Sequence, residues 1–563
     1  MHTRKILHIA SPNRTLHEVL SKELGISNVL AQLLINRGIE TPGAAEKFLN
    51  PSLNDMLDPN TFLEMPQAIG IVRGACKRRE RVLIFSDYDV DGLTSLTLLE
   101  NTFARMGLET CHYIPDRVKE GYGLNKKVFE LVKEKEVKVV ITADCGTNST
   151  EQIKELRNRG VEVIVTDHHE PSGEHTHDYA SAMINPKISN SGYLYRDLAG
   201  VGVAYKFCQA LCADTLVDEL DLVALGTIAD AVPLTGENRI IAKEGLSKLF
   251  NTKRLGLKTL IEASGVKNKK INPGFVSFIL GPRINASGRI DNAEVALNLL
   301  MSVDQAEAQR LVETVEKHNR QRQKVESTIL EEAQAIIDKE VNFKEHKVMV
   351  VAKEGWHTGV LGIVAAKLAE RFYRPTILIS LAEGLCKGSG RSIKNFHLFE
   401  AILECRELLE NFGGHQHATG LSLSKENIDD FRTKINLLAH ERLTMTDLMP
   451  SIDIDMALTL SDMDEALAGE LARLEPFGMG NRQPLFFTGN LRLKGQPRVM
   501  GRDTLKFWVT DGTFTYQAIG FGMGSFKDSL LAAEYFDVVY SPVMDNWQGE
   551  ESLLLEIKEI FFK

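Results

Sequence analysis

Residues 81–92, "RVLIFSDYDVDG", decide the fold. The first six are almost wholly apolar and rich in β-branched side chains, the pattern of a strand buried on both faces of a sheet. Three aspartates follow at alternate positions, Asp87, Asp89 and Asp91, and Gly92 ends the run. The pattern recurs twice. "VKVVITADCG" (137–146) leads to Asp144, and "VEVIVTDHHEP" (161–171) leads to Asp167, His168 and His169. Helical stretches at 93–106 and 149–159, closed by Gly107 and Gly160, lie between them. Strand–helix alternation predicts a parallel α/β sheet. Side chains at the carboxyl ends of such strands converge on one edge, where these folds bind ligands. Asp230, in "LGTIADAVPL" (225–234), adds another acid after an apolar run.

So many carboxylates on one edge repel one another unless cations lie between them. Oxygen and imidazole donors without thiolates suit Mn2+ or Mg2+ better than structural zinc. Two such ions about 3.5–4 Å apart clamp both oxygens of a phosphoryl transfer. Each piece alone has an ordinary explanation. An Asp after a strand is usually a turn or helix cap, and a His pair is usually surface or core. "SDYDVDG" resembles a calcium loop but lacks that motif's downstream Glu. Their recurrence after successive strands is what points to a metal centre.

Composition bounds the rest. At 563 residues the chain predicts three or four domains. No stretch reaches the roughly 20 apolar residues of a membrane span, and residues 1–13 do not read as a secretory signal. The seven cysteines are scattered without a C-x-x-C pair. That predicts a reducing, cytoplasmic setting without a disulfide framework or a cysteine-built zinc site. A net charge of −10 gives no global footprint for nucleic acid, so any such partner must meet local basic patches.

Working outward, 17–50 reads as short amphipathic helices. Residues 302–338 read as one long helix, with Ser302 and Gln305 as its capping box. Its middle, "KHNRQRQK" (317–324), is polar all round. It predicts either a solvent-spanning bridge or, with Arg322, the lining of an anion channel. Strands at 347–352 and 375–380 around a helix at 359–371 predict a second α/β unit. After about 450, several short strands predict a small barrel.

Other residues suit a polyanionic strand. "GSGRS" (388–392) reads as a glycine-rich turn presenting Ser389 and Arg391 to a phosphate. Arg117 and Tyr122 could pair with phosphate and stack on a base, and Arg283, Asn285 and Arg289 add polar reach. His415 reads as structural or substrate-facing. Arg492, Lys494, Arg498, Arg502 and Lys506 interleave with Phe507 and Trp508, as in folds that hold single strands without sequence preference.

"DYDVDG", "ADCG", "DHH" and "GTIADAVPL", in that order, resemble the motifs of the DHH phosphoesterase superfamily. "IPDRVKEGYGL" (114–124), "AGVGVAYKF" (199–207) and "GPRINASGRI" (281–290) are similar to segments of its bacterial single-strand exonuclease family. "GWHTGVLGIVAAKLAERFYRPTILI" (355–379), "KGSGRS" (387–392) and "GGHQHATGLSL" (413–423) resemble the DHH-associated domain. "LEPFGMGNRQPLF" (474–486) resembles the entry to an OB-fold.

The resemblance implies an α/β fold: a parallel-sheet DHH domain, a long helix, a smaller α/β DHH-associated domain and a C-terminal β-barrel (OB-fold). The expected boundaries are 1–75, a helical segment packing on the DHH domain, 76–260, the DHH catalytic domain, and 261–340, the connecting helical region. The DHH-associated domain then spans 341–448 and the OB-fold 449–563. The resemblance further implies a 5′→3′ exonuclease using two divalent ions, Mn2+ or Mg2+. Asp87 and Asp89 would hold one ion and Asp91, His168 and Asp230 the other, with Asp144 bridging. His169 would meet the scissile phosphate, and Asp167 would orient the histidines. Ser389 and Arg391 would hold the 5′-phosphate.

Many relatives carry His where Phe85 stands, so fewer protein ligands are expected on the first ion. The implied partners are single-stranded DNA with a 5′ end and single-strand-binding protein. The implied setting is a cytoplasmic monomer in DNA repair and recombination. A phosphodiesterase for short or cyclic oligonucleotides, a metal-free scaffold and a pyrophosphatase are the competing readings. The first and last do not explain the basic helix and the C-terminal 110 or so residues, and the scaffold does not explain a full set of acids and histidines.

Overall fold

The computed structural model describes residues 5–172, 176–265, 270–547 and 550–563. It falls into two compact units. Asp58–Asp230 and Gly245–Pro450 belong to the first, and Lys5–Leu57, Ala231–Glu244 and Ser451–Lys563 make the second.

The first unit contains five parallel strands in the order Thr110–Tyr113, Arg81–Ser86, Val137–Ala143, Glu162–Thr166 and Ala182–Ile184. The three strands legible as apolar runs occupy the middle, which is why nearly every side chain in them is buried. Helices Lys127–Glu134 and Thr150–Asn158 seal one face, packing Val128, Leu131, Ile153 and Leu156 against Leu83, Phe85, Val140, Val163 and Val165. Each large apolar side chain so buried contributes about 1.5–3 kcal/mol. Phe85 belongs to this core and lies 5.5 Å, centroid to centroid, from Tyr113.

The long helix runs Gln305–Glu340, but its cap differs from the expected one. Asp304 caps it by accepting from the Glu307 amide, while the Ser302 hydroxyl donates to the Asp304 carbonyl at 3.1 Å. Its basic middle is exposed on one side, at Lys317, Arg320, Gln321, Gln323 and Lys324, and packed on the other. His318, Asn319, Arg322 and Glu326 are buried along one face. Arg322 donates to Glu326 and Asn319, both at 2.5 Å, and Lys367 also pairs with Glu326. His318 Nδ1 lies 3.3 Å from Ser287 Oγ. A polar face is tolerated here because each charge meets an opposite one or a hydrogen-bonding partner.

The second sheet has the order Asn411–His415, Ala418–Ser424, Leu385–Arg391, Thr376–Leu381 and Met349–Glu354. Only the last pair is parallel. "GSGRS", expected as a turn, mostly lies in the central strand Leu385–Arg391, hydrogen-bonded on both edges. Its glycines are there for packing. A Cβ on Gly388 would lie 2.9 Å from Leu421 Cδ1, and one on Gly390 would lie 2.7 Å from Thr419 Oγ1.

In the second unit, helices Arg14–Leu24, Asn28–Asn36 and Pro42–Leu49 occupy the expected region. Of the segment 1–75, Lys5–Leu57 groups with the barrel, and the residues from Asp58 onward belong to the first unit. Leu20, Leu30, Leu33 and Leu34 share a core with Phe486, Phe507, Val538 and Tyr540 of the barrel. Strand Ile6–Ile9, unread in the sequence because only four residues carry it, pairs with Ser451–Ile454. The barrel strands run Met456–Ala457, Phe486–Met500, Thr504–Thr510, Thr515–Phe521, Glu550–Phe562 and Phe536–Trp547, and Phe486–Met500 pairs with Phe536–Trp547 to close it. Among the described residues, no helix is long and apolar enough to cross a membrane.

Candidate metal centre and strand-binding residues

Every acidic residue singled out at the strand ends comes to one edge of the parallel sheet. Single ligand atoms of Asp87, Asp89 and Asp144 lie within 4.8 Å of one another, and so do those of Asp91, His168 and Asp230. Asp144, His168 and His169 form a third such group. His168 Nε2 is 3.2 Å from Asp144 Oδ1, 3.5 Å from Asp230 Oδ2 and 3.8 Å from Asp91 Oδ2.

The backbone around these groups is built to bring them close. Asp89 caps helix Val90–Arg105, its Oδ1 accepting from the Asp91 and Gly92 amides at 3.0 and 3.2 Å. It is therefore a helix cap and a member of the cluster at once. Asp144 has φ +59°, a left-handed conformation uncommon for a non-glycine residue and frequent at functional sites. Asp91 is clasped by the first amides of helix Gly200–Cys212, from Gly200 and Val201, each at 2.7 Å. A Cβ at Gly200 would lie 2.5 Å from Asp144 Oδ1, and one at Gly226 would lie 2.3 Å from Thr94 Oγ1.

The electrostatics fit divalent cations. Asp87 Oδ1 and Asp144 Oδ1 are buried without a hydrogen-bond partner. Burial first, and then the neighbouring aspartates, push Asp87, Asp144 and Asp230 well above the usual carboxylate range and Asp91 to about 7. Without a cation this edge would hold protons instead. Burial, reinforced by the charge of His169, lowers His168 to about 3, leaving the neutral imidazole that a metal requires.

Asp167 is placed differently from its neighbours. Burial opposes its charge, yet His169 and several donated hydrogen bonds hold it well below its ordinary value. Its Oδ1 accepts from His169 Nδ1 and the His168 amide, both at 2.7 Å, and its Oδ2 from the Thr147 amide at 2.9 Å. It thus bonds the ring of His169 but only the backbone of His168. Burial works against protonation of His169, but Asp167 outweighs it and raises His169 to about 9.

The strand-binding candidates divide into several groups. Tyr122, expected to stack on a base, lies with its hydroxyl 2.9 Å from His169 Nδ1 and donates to the Asp144 carbonyl at 3.2 Å. Arg283 is engaged by Glu316 at 2.6 Å, and Asn285 Oδ1 accepts from the Val90 amide at 3.1 Å. Arg283 therefore ties its helix to Gln305–Glu340, and Asn285 supports the acidic loop. Arg322 belongs to the buried seam of the long helix. Arg391 reaches Ser389 Oγ at 3.2 Å, and Arg117 stacks over Tyr88 at 4.6 Å. Burial first, and then the charges of Arg117 and Arg391, lower Arg289 to about 9, so three guanidiniums crowd one place.

His415 lies at the end of Asn411–His415 and is exposed. Partial burial of its ring, although the residue as a whole is exposed, and the nearby charges of Arg391, His417 and His169 lower its pKa. Arg502, Lys506 and Trp508 lie in the second unit. Lys506 and Trp508 alternate outward between buried Leu505, Phe507 and Val509, and Trp508 is 45% exposed.

Three contributors went unread. The Gly200 and Val201 amides carry no side-chain signature. Asn185 ties the site together, donating to Thr147 Oγ1 at 2.8 Å and to the His169 carbonyl at 2.9 Å. Lys187 supplies positive charge felt by His168 and Asp230. "INP" before Lys187 reads only as a strand entering a turn.

Family models match three stretches: "DHH family, N-terminal domain" over 81–227, "DHHA1 domain" over 345–441 and "RecJ OB domain" over 454–559. The chain is 37% identical over 554 residues to the single-stranded-DNA-specific exonuclease RecJ of Bacillus subtilis (strain 168), covering 98% of this chain and 70% of that protein. It is 33% identical over 559 residues to the protein of the same name from Dickeya dadantii (strain 3937), covering 95% and 96%. Its fold matches the crystal structure of RecJ in complex with Mn2+ from Thermus thermophilus. The TM-score is 0.84 and the identity 27%, covering 100% of this chain and 80% of that one.

Proposed function

The chain belongs to the RecJ family of single-stranded-DNA-specific exonucleases, and from that premise we propose that it shortens single-stranded DNA 5′→3′, releasing 5′-mononucleotides. Two divalent cations, Mn2+ or Mg2+, serve the reaction. Asp87 and Asp89 would hold one, Asp91, His168 and Asp230 would hold the other, and Asp144 would serve both. The observation that carries this reading is the place of Asp144. Its carboxylate groups with Asp87 and Asp89 on one side, and its orphaned Oδ1 lies 3.2 Å from His168 Nε2 on the other.

Bound there, such a pair supplies Lewis acidity to a phosphodiester and to an attacking water. The chain's own groups do the rest. The Gly200 and Val201 amides fix the Asp91 carboxylate. Asp167 engages Nδ1 of His169, leaving the other ring nitrogen for substrate. With its pKa raised to about 9, His169 is protonated at neutral pH and suited to meet a phosphate oxygen or the departing 3′-oxygen. Arg117, Arg289 and Arg391 repel one another, and a terminal 5′-phosphate relieves that repulsion while forming charge-assisted bonds.

Holding the 5′-phosphate a fixed distance from the acids sets removal to one nucleotide at a time. Arg502, Lys506 and Trp508 hold the strand by charge and stacking. The setting is DNA repair and recombination in the cytoplasm, as a monomer that meets single-strand-binding protein.

The test is a single-stranded oligonucleotide internally labelled and blocked at either end. With Mn2+, the 3′-blocked strand should be degraded to mononucleotides. The 5′-blocked strand should survive, and a chelator should abolish degradation altogether. Degradation of the 5′-blocked strand, or full activity of Asp144→Ala, would sink the proposal.

A further inference from the structure

Phe278 leaves 81% of its surface in water. It sits in Val276–Leu280, a π-helical segment that runs directly into helix Gly281–Ile290. Isolated π-helical turns are rare and recur at functional sites, because the extra residue re-aims side chains. An exposed aromatic ring on such a turn needs a reason, since burying it would be favourable.

The position of the segment suggests one. Near its far end, a Cβ at Gly288 would lie 3.1 Å from the Tyr88 carbonyl, and Asn285 accepts from Val90. That end is set against the loop carrying Asp87, Asp89 and Asp91. At its start, Ser277 Oγ donates to the Ile228 carbonyl at 3.3 Å, and a Cβ at Gly281 would lie 3.5 Å from Ala229 Cβ. That end is set against the turn carrying Asp230. The segment therefore runs alongside both carboxylate clusters. Arg289, in the crowd of guanidiniums, lies at one end, and Phe278 lies at the other, about 16 Å away at the rise of a helix.

We infer that Phe278 is a stacking platform for a nucleobase on the 3′ side of the scissile bond. This rests on the function proposed above. If the guanidiniums take the 5′-phosphate and the acids take the first phosphodiester, the continuing strand leaves past the Asp230 end. A solvent-exposed ring there offers a face to any base, which suits an enzyme that reads no sequence. Phe278 is thus a positioning residue. It holds the next nucleotides while the terminal one is cut, and it acts on binding of the strand more than on the cleavage step.

The test couples the protein to the substrate. The full chain with Phe278→Ala or Phe278→Trp is compared with the wild type on two 5′-phosphorylated strands. One carries normal bases and the other abasic sites at the second to fourth nucleotides. On the normal strand, Phe278→Ala should raise KM about tenfold with little change in kcat, and Phe278→Trp should restore KM. The wild type should lose a similar factor on the abasic strand, and Phe278→Ala should lose nothing further. Losses that simply multiply, or an unchanged KM for Phe278→Ala on the normal strand, would overturn the inference. If the wild type fails to degrade either strand with Mn2+, the functional reading itself has failed.

Discussion

At the scale of single residues, the centre depends on groups forced closer than their charges favour. Gly200 allows this, because any side chain there would collide with Asp144. Gly200→Ala should therefore weaken Mn2+ binding by about 10–100-fold, the usual consequence of disturbing a ligand's supporting contacts. Isothermal titration with Mn2+ measures this directly, and unaltered affinity would show that Asp144 does not bind metal.

The raised aspartates make a second prediction. In chelator, folded Asp91 binds a proton up to about pH 7, whereas the unfolded chain releases it near its ordinary value of 3.8. Asp91's contribution to stability is therefore complete below about pH 3.8 and is lost as pH rises through about 7. Asp144→Asn should reduce that loss, as seen in melting temperatures measured with EDTA across the range.

At the scale of elements, the parallel sheet is tied at its edge by a histidine. His112, on Thr110–Tyr113, lies 3.1 Å from Glu100 of helix Val90–Arg105 and 3.4 Å from Glu294 of helix Glu294–Met301. The hydrogen bonds to Glu100 and Glu294 overcome partial burial and raise His112 to about 9. Its contribution is therefore complete below its unfolded value, near pH 6.5, and is lost as pH rises through about 9. After allowance for solvent screening it is worth about 1 kcal/mol. His112→Gln should remove the part of the alkaline loss of stability that lies in this window, checked by urea unfolding at intervals of pH.

The "GSGRS" strand and the basic stretch of the long helix belong to this scale too. Glycine suggests a turn for the first, and unbroken polarity gives no sign that the second has a buried face. In the fold, Gly388 and Gly390 make room for Leu421 and Thr419. Arg322 and Glu326 satisfy each other in a buried seam. In each case a residue's meaning is set by what packs against it, which its own identity does not reveal.

At the scale of the whole molecule, the apolar cluster around the barrel lies within the second unit, and the candidate metal ligands lie in the first. Calorimetry should therefore resolve two transitions. Mn2+ at a hundred times its dissociation constant should stabilise one of them by about 2.7 kcal/mol and leave the other unchanged. The shifted transition should be the one that Gly200→Ala renders insensitive to Mn2+. A single transition that moves as a whole would contradict independent units.

The order of residues alone carried the parallel sheet and its acidic edge. Continuous short apolar runs between helical stretches form buried strands, and whatever follows such strands in register must gather at their carboxyl ends. The gathering of Asp87, Asp89, Asp91, Asp144 and His168 was legible for that reason, whereas Asp230 ends helix Leu220–Ala229 and reaches the edge only through the fold. Folding in three dimensions settled the remainder. It brought the Gly200 and Val201 amides to Asp91 and set the hydroxyl of the half-exposed Tyr122 beside His169. It also placed residues Lys5–Leu57 with the barrel. Backbone amides look alike in any sequence, and an amphipathic helix states that it needs an apolar partner without stating which one.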